Sequence, residues 1–104
     1  MYRILLADDE GIMLESLKTI ISSYYGNECE IHCAKTGRAV VEQAQAYPPD
    51  ICFMDIQMPG ISGIQAIREI QKFNRSVVFV IITAYDKFNY AKEAVNLGVM
   101  EFLT

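Results

Sequence analysis

The sequence predicts a doubly wound α/β domain built on a five-stranded parallel sheet. Short apolar runs alternate along the chain with longer stretches whose apolar residues recur at helical spacing, in the order βαβαβαβαβ. The short runs are apolar at consecutive positions, which is typical of strands covered by helices on both faces. With 104 residues, of which 52% are hydrophobic and 21% charged, the chain has the composition of one globular domain.

Each strand is predicted from a short apolar run bounded by polar or turn residues. The run at 29–34 is weaker than the others, and the run at 50–54 ends at Asp55. Right-handed crossovers between consecutive strands give the flavodoxin-like strand order 2-1-3-4-5. The predicted strands are residues 2–7, 29–34, 50–54, 77–82 and 99–104.

The helices are predicted from apolar spacing and from the residues at their ends. Residues 10–24 form the first helix, which Gly26 and Asn27 close. Its apolar residues are Ile12, Met13, Leu14, Leu17, Ile20 and Ile21. The later helices are expected at residues 36–47, 62–70 and 86–97, with boundaries at Thr36, Pro48, Ser62, Asp86 and Gly98.

Charge and composition exclude several classes of function. Thirteen acidic against nine basic residues give a net charge of −4, which argues against direct binding to a nucleic-acid backbone. The longest apolar run, 77–82, is far shorter than the ~18 residues that span a membrane. The N-terminus lacks the form of a signal peptide, and three cysteines cannot all pair within one chain. Reduced thiols and a cytoplasmic location are therefore expected.

Acidic residues follow two of the strands that the predicted order places side by side. Asp8 and Asp9 follow the first strand, Asp55 ends the third, and Thr83 follows the fourth. A single aspartate in a loop is more often a helix cap or a solvated side chain. Three at the ends of adjacent strands would repel one another unless a cation lay between them. Carboxylate oxygens are ligands that Mg²⁺ prefers, so the sequence predicts a magnesium site at this edge.

These residues resemble a known family. Asp8-Asp9, Asp55 with the following Met58-Pro59-Gly60 and Gly63, and Thr83-Ala84 resemble the receiver domain of bacterial two-component response regulators. The resemblance covers the whole chain. The stretch 84–91 resembles the branch whose full-length members carry an AraC-type DNA-binding output domain.

The resemblance implies a phosphoacceptor. Asp55 would accept a phosphoryl group from a sensor histidine kinase. Mg²⁺ would be held by the side chains of Asp9 and Asp55 and by the backbone carbonyl of Gln57, while Asp8 would act mainly through metal-bound water. The chain would then be a signalling domain and not an enzyme acting on separate substrates.

The resemblance also implies a conformational switch. Thr83 would contact the phosphoryl group, and the small Ala84 would leave room for the phosphodonor. Gln57 and Tyr85 occupy the positions that tune removal of the phosphoryl group by water. Phe102 would be the aromatic residue that turns inward when Thr83 moves, although plain core packing of Phe102 is an equal alternative.

One departure from the family concerns the end of the chain. Family members have a lysine directly after the position of Thr104 and then a last helix, so residues 1–104 read as a C-terminally incomplete receiver domain. We expect part of one sheet face to be uncovered, which favours dimers or strand exchange. We also expect weak Mg²⁺ binding and slow phosphorylation relative to a longer chain. The fourth helix and fifth strand are the usual dimer surface, and any contact with DNA would be made by an output domain outside residues 1–104.

Other functions remain as alternatives. A haloacid-dehalogenase-like, Mg²⁺-dependent phosphatase also uses an aspartate nucleophile, but it needs a second aspartate where this chain has Gln57. A receiver-like interaction module that is not phosphorylated is a further alternative. A nucleotide-binding module ranks last because no glycine-rich phosphate-binding motif is present. Cys29, His32 and Cys33 do not predict a zinc site, since alternate strand residues point to opposite faces.

Overall fold

A computed structural model describes residues 2–55 and 58–82, together with the backbone of residues 101–103. The described strands are β1 (Tyr2–Ala7), β2 (Cys29–Ala34), β3 (Ile51–Asp55), β4 (Val78–Ile82) and β5 (Glu101–Leu103). The described helices are α1 (Gly11–Tyr25), α2 (Gly37–Ala46) and α3 (Gly63–Gln71), and a short 3-10 turn spans Gly26–Glu28.

The described strands form one parallel sheet in the order β2-β1-β3-β4-β5, which confirms the predicted fold and strand order. Their bounds agree with the sequence-based bounds to within one or two residues. The predicted fourth helix, 86–97, lies outside the described residues.

Both faces of the two central strands β1 and β3 are apolar, because helices pack on each side of the sheet. The larger core lies between the sheet and the helices α2 and α3. The smaller core lies under α1 and consists of Ile4, Leu6, Leu14 and Ile21, with Leu17, Cys29, Ile31 and Phe53 packed against it. The buried residues of the larger core include Leu5, Ala7, Val40, Ala44, Cys52, Met54, Ile64, Ile67, Ile70, Phe79 and Ile81.

The apolar face predicted for the first helix is only partly buried. Leu14 and Ile21 are buried, but Ile12 is 84% exposed and Ile20 is 54% exposed. Leu14 and Ile21 are seven residues apart, close to two helical turns, so one stripe of α1 meets the sheet. Apolar residues outside that stripe face solvent, and their spacing along the sequence does not distinguish the two groups.

Apolar surface also borders solvent beside the C-terminal end of α1. Tyr2 is 62% exposed and Tyr25 is 57% exposed. They border a cavity of about 320 Å³ on the α1 side of the sheet. It is lined by Tyr2, Ile4, Ile21, Tyr25, Glu28, Cys29, Ile51 and Phe53.

No helix in the described part of the chain combines the length and the hydropathy that crossing a membrane requires.

Hydroxyl side chains cap the helices that follow β2 and β3. The Thr36 hydroxyl accepts a hydrogen bond from Ala39 N at 3.1 Å, and the Ser62 hydroxyl accepts one from Gln65 N at 3.2 Å. Each cap satisfies one of the N–H groups that the first turn of a helix leaves without a partner. The caps therefore fix where α2 and α3 begin at the edge of the sheet where the strands end.

Replacing Thr36 by alanine removes the cap of α2. We expect Thr36→Ala to lower the free energy of unfolding by about 1 kcal/mol, measured by urea denaturation followed by circular dichroism. Thr19→Ala, on the exposed surface of α1, is the matched control and should change stability by no more than about 0.5 kcal/mol. An equal loss in both variants would contradict the capping role.

Candidate functional site

The candidate site lies where β1 and β3 end. The two strands are parallel neighbours, and their register pairs Ala7 with Met54. Asp8 and Asp9 directly follow Ala7, and Asp55 directly follows Met54, so the same strand pairing brings all three aspartates to one edge. One carboxylate oxygen from each lies within 4.8 Å of the others.

Asp8 is the most constrained of the three. Its side chain is buried, whereas Asp55 is half-buried and Asp9 is exposed. Its Oδ1 accepts a hydrogen bond from Glu10 N at 2.9 Å, and its own N–H donates to the Ala34 carbonyl oxygen at 3.1 Å. The first bond orients the carboxylate, and the second ties the residue to the end of β2.

The local electrostatics disfavour a full set of charges at this edge. Burial raises the pKa of the Asp8 carboxyl, and the neighbouring charges of Asp9 and Glu10 raise it further. The hydrogen bond from Glu10 N acts in the opposite direction but is outweighed. A cation beside these oxygens would remove the repulsion and favour the charged form.

The donor set fits a hard divalent cation. Mg²⁺ binds oxygen ligands at about 2.0–2.1 Å, so two ligands of one ion lie at most about 4.2 Å apart. Carboxylate oxygens within 4.8 Å of one another need only small side-chain adjustments to share such an ion, directly or through bound water. The exposed Asp9 and the half-buried Asp55 leave this edge open to solvent.

Comparison with known proteins identifies the family. A family model described as the response regulator receiver domain matches residues 4–104. The chain belongs to the response regulator receiver domain family.

Relatives of this receiver domain are longer proteins. The chain is 36% identical over 103 residues to the transcriptional regulatory protein YesN of Bacillus subtilis, covering 99% of this chain and 28% of YesN. It is 31% identical over 105 residues to the transcriptional regulatory protein HptR of Staphylococcus aureus, covering 99% of this chain and 40% of HptR. The chain thus spans less than half the length of these two relatives.

Solved structures share its fold. The response regulator TrrA of Thermotoga maritima, determined in complex with Mg²⁺ and a beryllium fluoride, superposes with a TM-score of 0.86 at 30% identity, over 100% of this chain and 86% of that one. A CheY-like receiver domain protein of Methanospirillum hungatei superposes with a TM-score of 0.90 at 21% identity, over 99% and 80%. The second likeness supports the fold alone.

Several predicted site residues lie outside the described part of the receiver. These are Gln57, Thr83, Ala84 and Tyr85. Phe102 lies in β5 at the position paired with Ile81 of β4, and its side chain is not described. The roles predicted for these residues therefore stay predictions.

The loop after Asp55 is held at both ends of its described part. Met58 is buried against the larger core, and Ile61 packs against the same core from a half-buried position. Between them Gly60 has a φ of 82°, a left-handed conformation that glycine adopts without steric cost. The loop then enters the Ser62 cap of α3.

A second polar cluster is formed by side chains of β1, β2 and the residue after α2. It was not predicted from the sequence. Glu30 Oε2 accepts from Arg3 Nε at 2.7 Å and lies 2.7 Å from His32 Nε2. The His32 ring stacks on Tyr47, with ring centroids 4.4 Å apart. His32, and secondarily Arg3, lower the pKa of the Glu30 carboxyl. His32 is thus engaged by Glu30 and Tyr47, while Cys29 and Cys33 are free thiols.

The strand register explains this cluster. Arg3 and Glu30 are paired positions in the β1–β2 ladder. Had the pairing of β1 with β2 been known to the residue, Arg3 and Glu30 would have been predicted to lie opposite each other and to form an ion pair.

The raised pKa of Asp8 predicts a pH-dependent effect on stability. A carboxyl with a higher pKa in the folded state stabilises the fold at low pH, and that contribution is lost as pH rises through the folded-state pKa. Without divalent cations, Asp8→Asn should therefore have a higher free energy of unfolding than the wild type at neutral pH, because Asn keeps an oxygen for Glu10 N and carries no charge. The difference should vanish below the ordinary pKa of aspartate.

Urea denaturation at a series of pH values measures this difference. Asp50→Asn is the matched control, since Asp50 lies at the opposite end of the sheet and its Oδ2 accepts from Arg3 N at 2.8 Å. This variant should be unchanged or less stable at neutral pH. A neutral-pH gain in Asp50→Asn as large as that in Asp8→Asn would mean that net charge, and not the local site, is responsible.

Proposed function

We propose that this receiver domain accepts a phosphoryl group on Asp55 from a sensor histidine kinase, with Mg²⁺ as cofactor, and thereby controls an output domain. The observation that carries the proposal is the convergence of Asp8, Asp9 and Asp55 at one edge of the sheet, in a chain of the receiver family. The TrrA structure, with its Mg²⁺ and beryllium fluoride, supports the choice of cation.

The three aspartates would have different roles in binding the cation. Asp9 and Asp55 would hold the cation through their side chains, and the Gln57 backbone carbonyl would add a ligand. The Asp8 carboxylate, oriented by Glu10 N, would act through metal-bound water. When bound, Mg²⁺ supplies positive charge that offsets the negative charge of the phosphoryl oxygens.

The transfer itself forms one bond and breaks another. A carboxylate oxygen of Asp55 attacks phosphorus, and the kinase histidine leaves with the electron pair of the broken P–N bond. The half-buried position of Asp55 gives a phosphodonor access from solvent. The strand pairing of β3 holds this residue in place during attack.

The switch would run through β4 and β5. Thr83 would donate its hydroxyl to a phosphoryl oxygen, with Ala84 leaving room beside it, and Gln57 and Tyr85 would set how fast water removes the group. Phe102 would respond by turning inward. The pairing of Phe102 with Ile81, two residues before Thr83, supports communication between these positions.

The wider role is proposed from the family and from the length of its relatives. Residues 1–104 would form the receiver domain of a cytoplasmic regulator. Its output domain, of AraC type, would bind DNA. Dimers would form through the fourth helix and fifth strand or by strand exchange.

Phosphorylation from a small donor tests the proposal. Incubated with acetyl phosphate and Mg²⁺, the protein should gain about 80 Da, one phosphoryl group, detected by intact-protein mass spectrometry. Asp55→Asn should gain nothing because it lacks the nucleophile.

Asp50→Asn is the control for this experiment, and it should be labelled like the wild type. Repeated release of phosphate from varied phosphate monoesters would instead support a haloacid-dehalogenase-like phosphatase. Absence of both activities, with the fold intact, would leave a receiver-like interaction module.

Mg²⁺ should stabilise the folded protein. At a concentration 100-fold above the dissociation constant, a ligand that binds only the folded state adds about 2.7 kcal/mol to the free energy of unfolding. We expect this gain in the wild type and in Asp50→Asn, and its loss in Asp9→Asn, measured by thermal unfolding with and without MgCl₂. A full gain in Asp9→Asn would exclude Asp9 as a ligand.

A further inference from the structure

Gly37, the first residue of α2, lies against the main chain of the loop that leads to α3. It is buried, and a Cβ at this position would come closer than 3.0 Å to both the carbonyl oxygen and the Cγ1 of Ile61. The Ile61 carbonyl carbon would lie at 3.1 Å. Side-chain Cβ atoms essentially never approach other atoms so closely, so a side chain at residue 37 would force something to move. Glycine is required here by space, since Gly37 does not have a positive φ.

Two of the three atoms that an added Cβ would crowd, the carbonyl oxygen and the carbonyl carbon of Ile61, belong to the backbone. Ile61 lies one residue before the Ser62 cap, and its side chain packs against the larger core. A flexible side chain could rotate away from an added methyl group, but a carbonyl oxygen moves only with the loop that carries it. The displacement would therefore pass along the loop and toward Asp55, six residues before Ile61.

The contact between Gly37 and Ile61 also links the segments on either side of the aspartate cluster, the end of β2 and the loop after β3. Gly37 follows Ala34 by three residues, and the Ala34 carbonyl accepts the hydrogen bond from Asp8 N. Ile61 belongs to the loop that follows Asp55. The approach of Gly37 to Ile61 thus closes a chain of contacts from Asp8, through the end of β2, to the loop after β3.

We propose that Gly37 is a positioning residue for phosphoryl transfer. By carrying no side chain, it lets the 58–62 loop pack against the start of α2, and this packing sets the position of Asp55 relative to Asp8 and Asp9. The inference rests on the proposed function of Asp55, because the effect is expected on the transfer rate.

Gly37→Ala tests the proposal, with Gly11→Ala as the matched control. Both glycines begin a helix, but a Cβ at Gly11 would meet only the flexible end of Lys35, at 3.4 Å from Nζ. Since a misplacement of about 1 Å can lower a rate about 100-fold, labelling of Gly37→Ala by acetyl phosphate at saturating Mg²⁺ should be at least about tenfold slower than wild type. Gly11→Ala should stay close to the wild-type rate. Far-UV circular dichroism should show folded protein in each case.

A second substitution, at Ile61, distinguishes a loss of positioning of Asp55 from a general loss of structure in Gly37→Ala. Ile61→Gly removes Cγ1 and frees the backbone at residue 61. The double variant Gly37→Ala/Ile61→Gly should recover part of the rate lost in Gly37→Ala, because the Cγ1 contact is gone and the carbonyl of a glycine at residue 61 can rotate away from the added methyl group. It loses a core contact and should melt at a lower temperature. A purely structural defect would be deepened by the second substitution.

Each outcome of these experiments either supports or overturns the role proposed for Gly37. If the wild type takes up no phosphoryl group, the proposed function fails and this inference fails with it. If the wild type is labelled, a folded Gly37→Ala with the wild-type rate overturns the inference alone, as does an equally slow Gly11→Ala or a lack of rescue. Should Gly37→Ala not fold, the double variant is compared with Ile61→Gly: an equal labelling rate supports a role of Gly37 that acts through Ile61, and slower labelling of the double variant overturns it.

Discussion

The repulsion between carboxylates at one edge of the sheet is the constraint on which the site depends. Asp8, Asp9 and Asp55 would separate if their backbones were free, and they remain close because they extend two hydrogen-bonded parallel strands. Burial raises the pKa of the Asp8 carboxyl, and the neighbouring charges of Asp9 and Glu10 raise it further. The stability of the apolar sheet thus holds three carboxylates together, and this donor set fits a hard divalent cation.

The surrounding elements keep this arrangement rigid in different ways. The backbone of Asp8 is tied to β2 through Ala34 and to its own turn through Glu10. On the other side, the loop after Asp55 is held by the buried Met58 and by the approach of Ile61 to Gly37. Main-chain contacts dominate both sides, which suits a site whose chemistry depends on fixed distances between oxygens.

Sequence reasoning predicted the fold because the strands are short apolar runs, and because Thr36 and Ser62 mark the starts of α2 and α3. It also predicted that Asp8, Asp9 and Asp55 meet, since strand order alone places their strand ends together. It also predicted α1, but not which of its apolar residues are buried: Ile12 and Ile20 are exposed, because spacing does not tell which apolar stripe faces the sheet.

Two contacts escaped sequence reasoning for different reasons. The Arg3–Glu30–His32 cluster depends on the register between β1 and β2, which hydrophobic patterns do not specify to the residue. The approach of Gly37 to Ile61 is made largely by main-chain atoms and leaves no pattern of side-chain types. Residues 83–100, which carry Thr83 and Tyr85, are predicted from the sequence and lie outside the described structure.

The hydrogen bond from Asp8 N to the Ala34 carbonyl has a consequence for the dynamics of the sheet. β2 is the outermost strand on its side, and such strands open more readily than central ones. Detachment of its last residues would release the amide of Asp8 and loosen the surroundings of the three aspartates. By linkage, an ion bound at the aspartates would slow solvent exchange of amide protons along an outer strand that it does not touch.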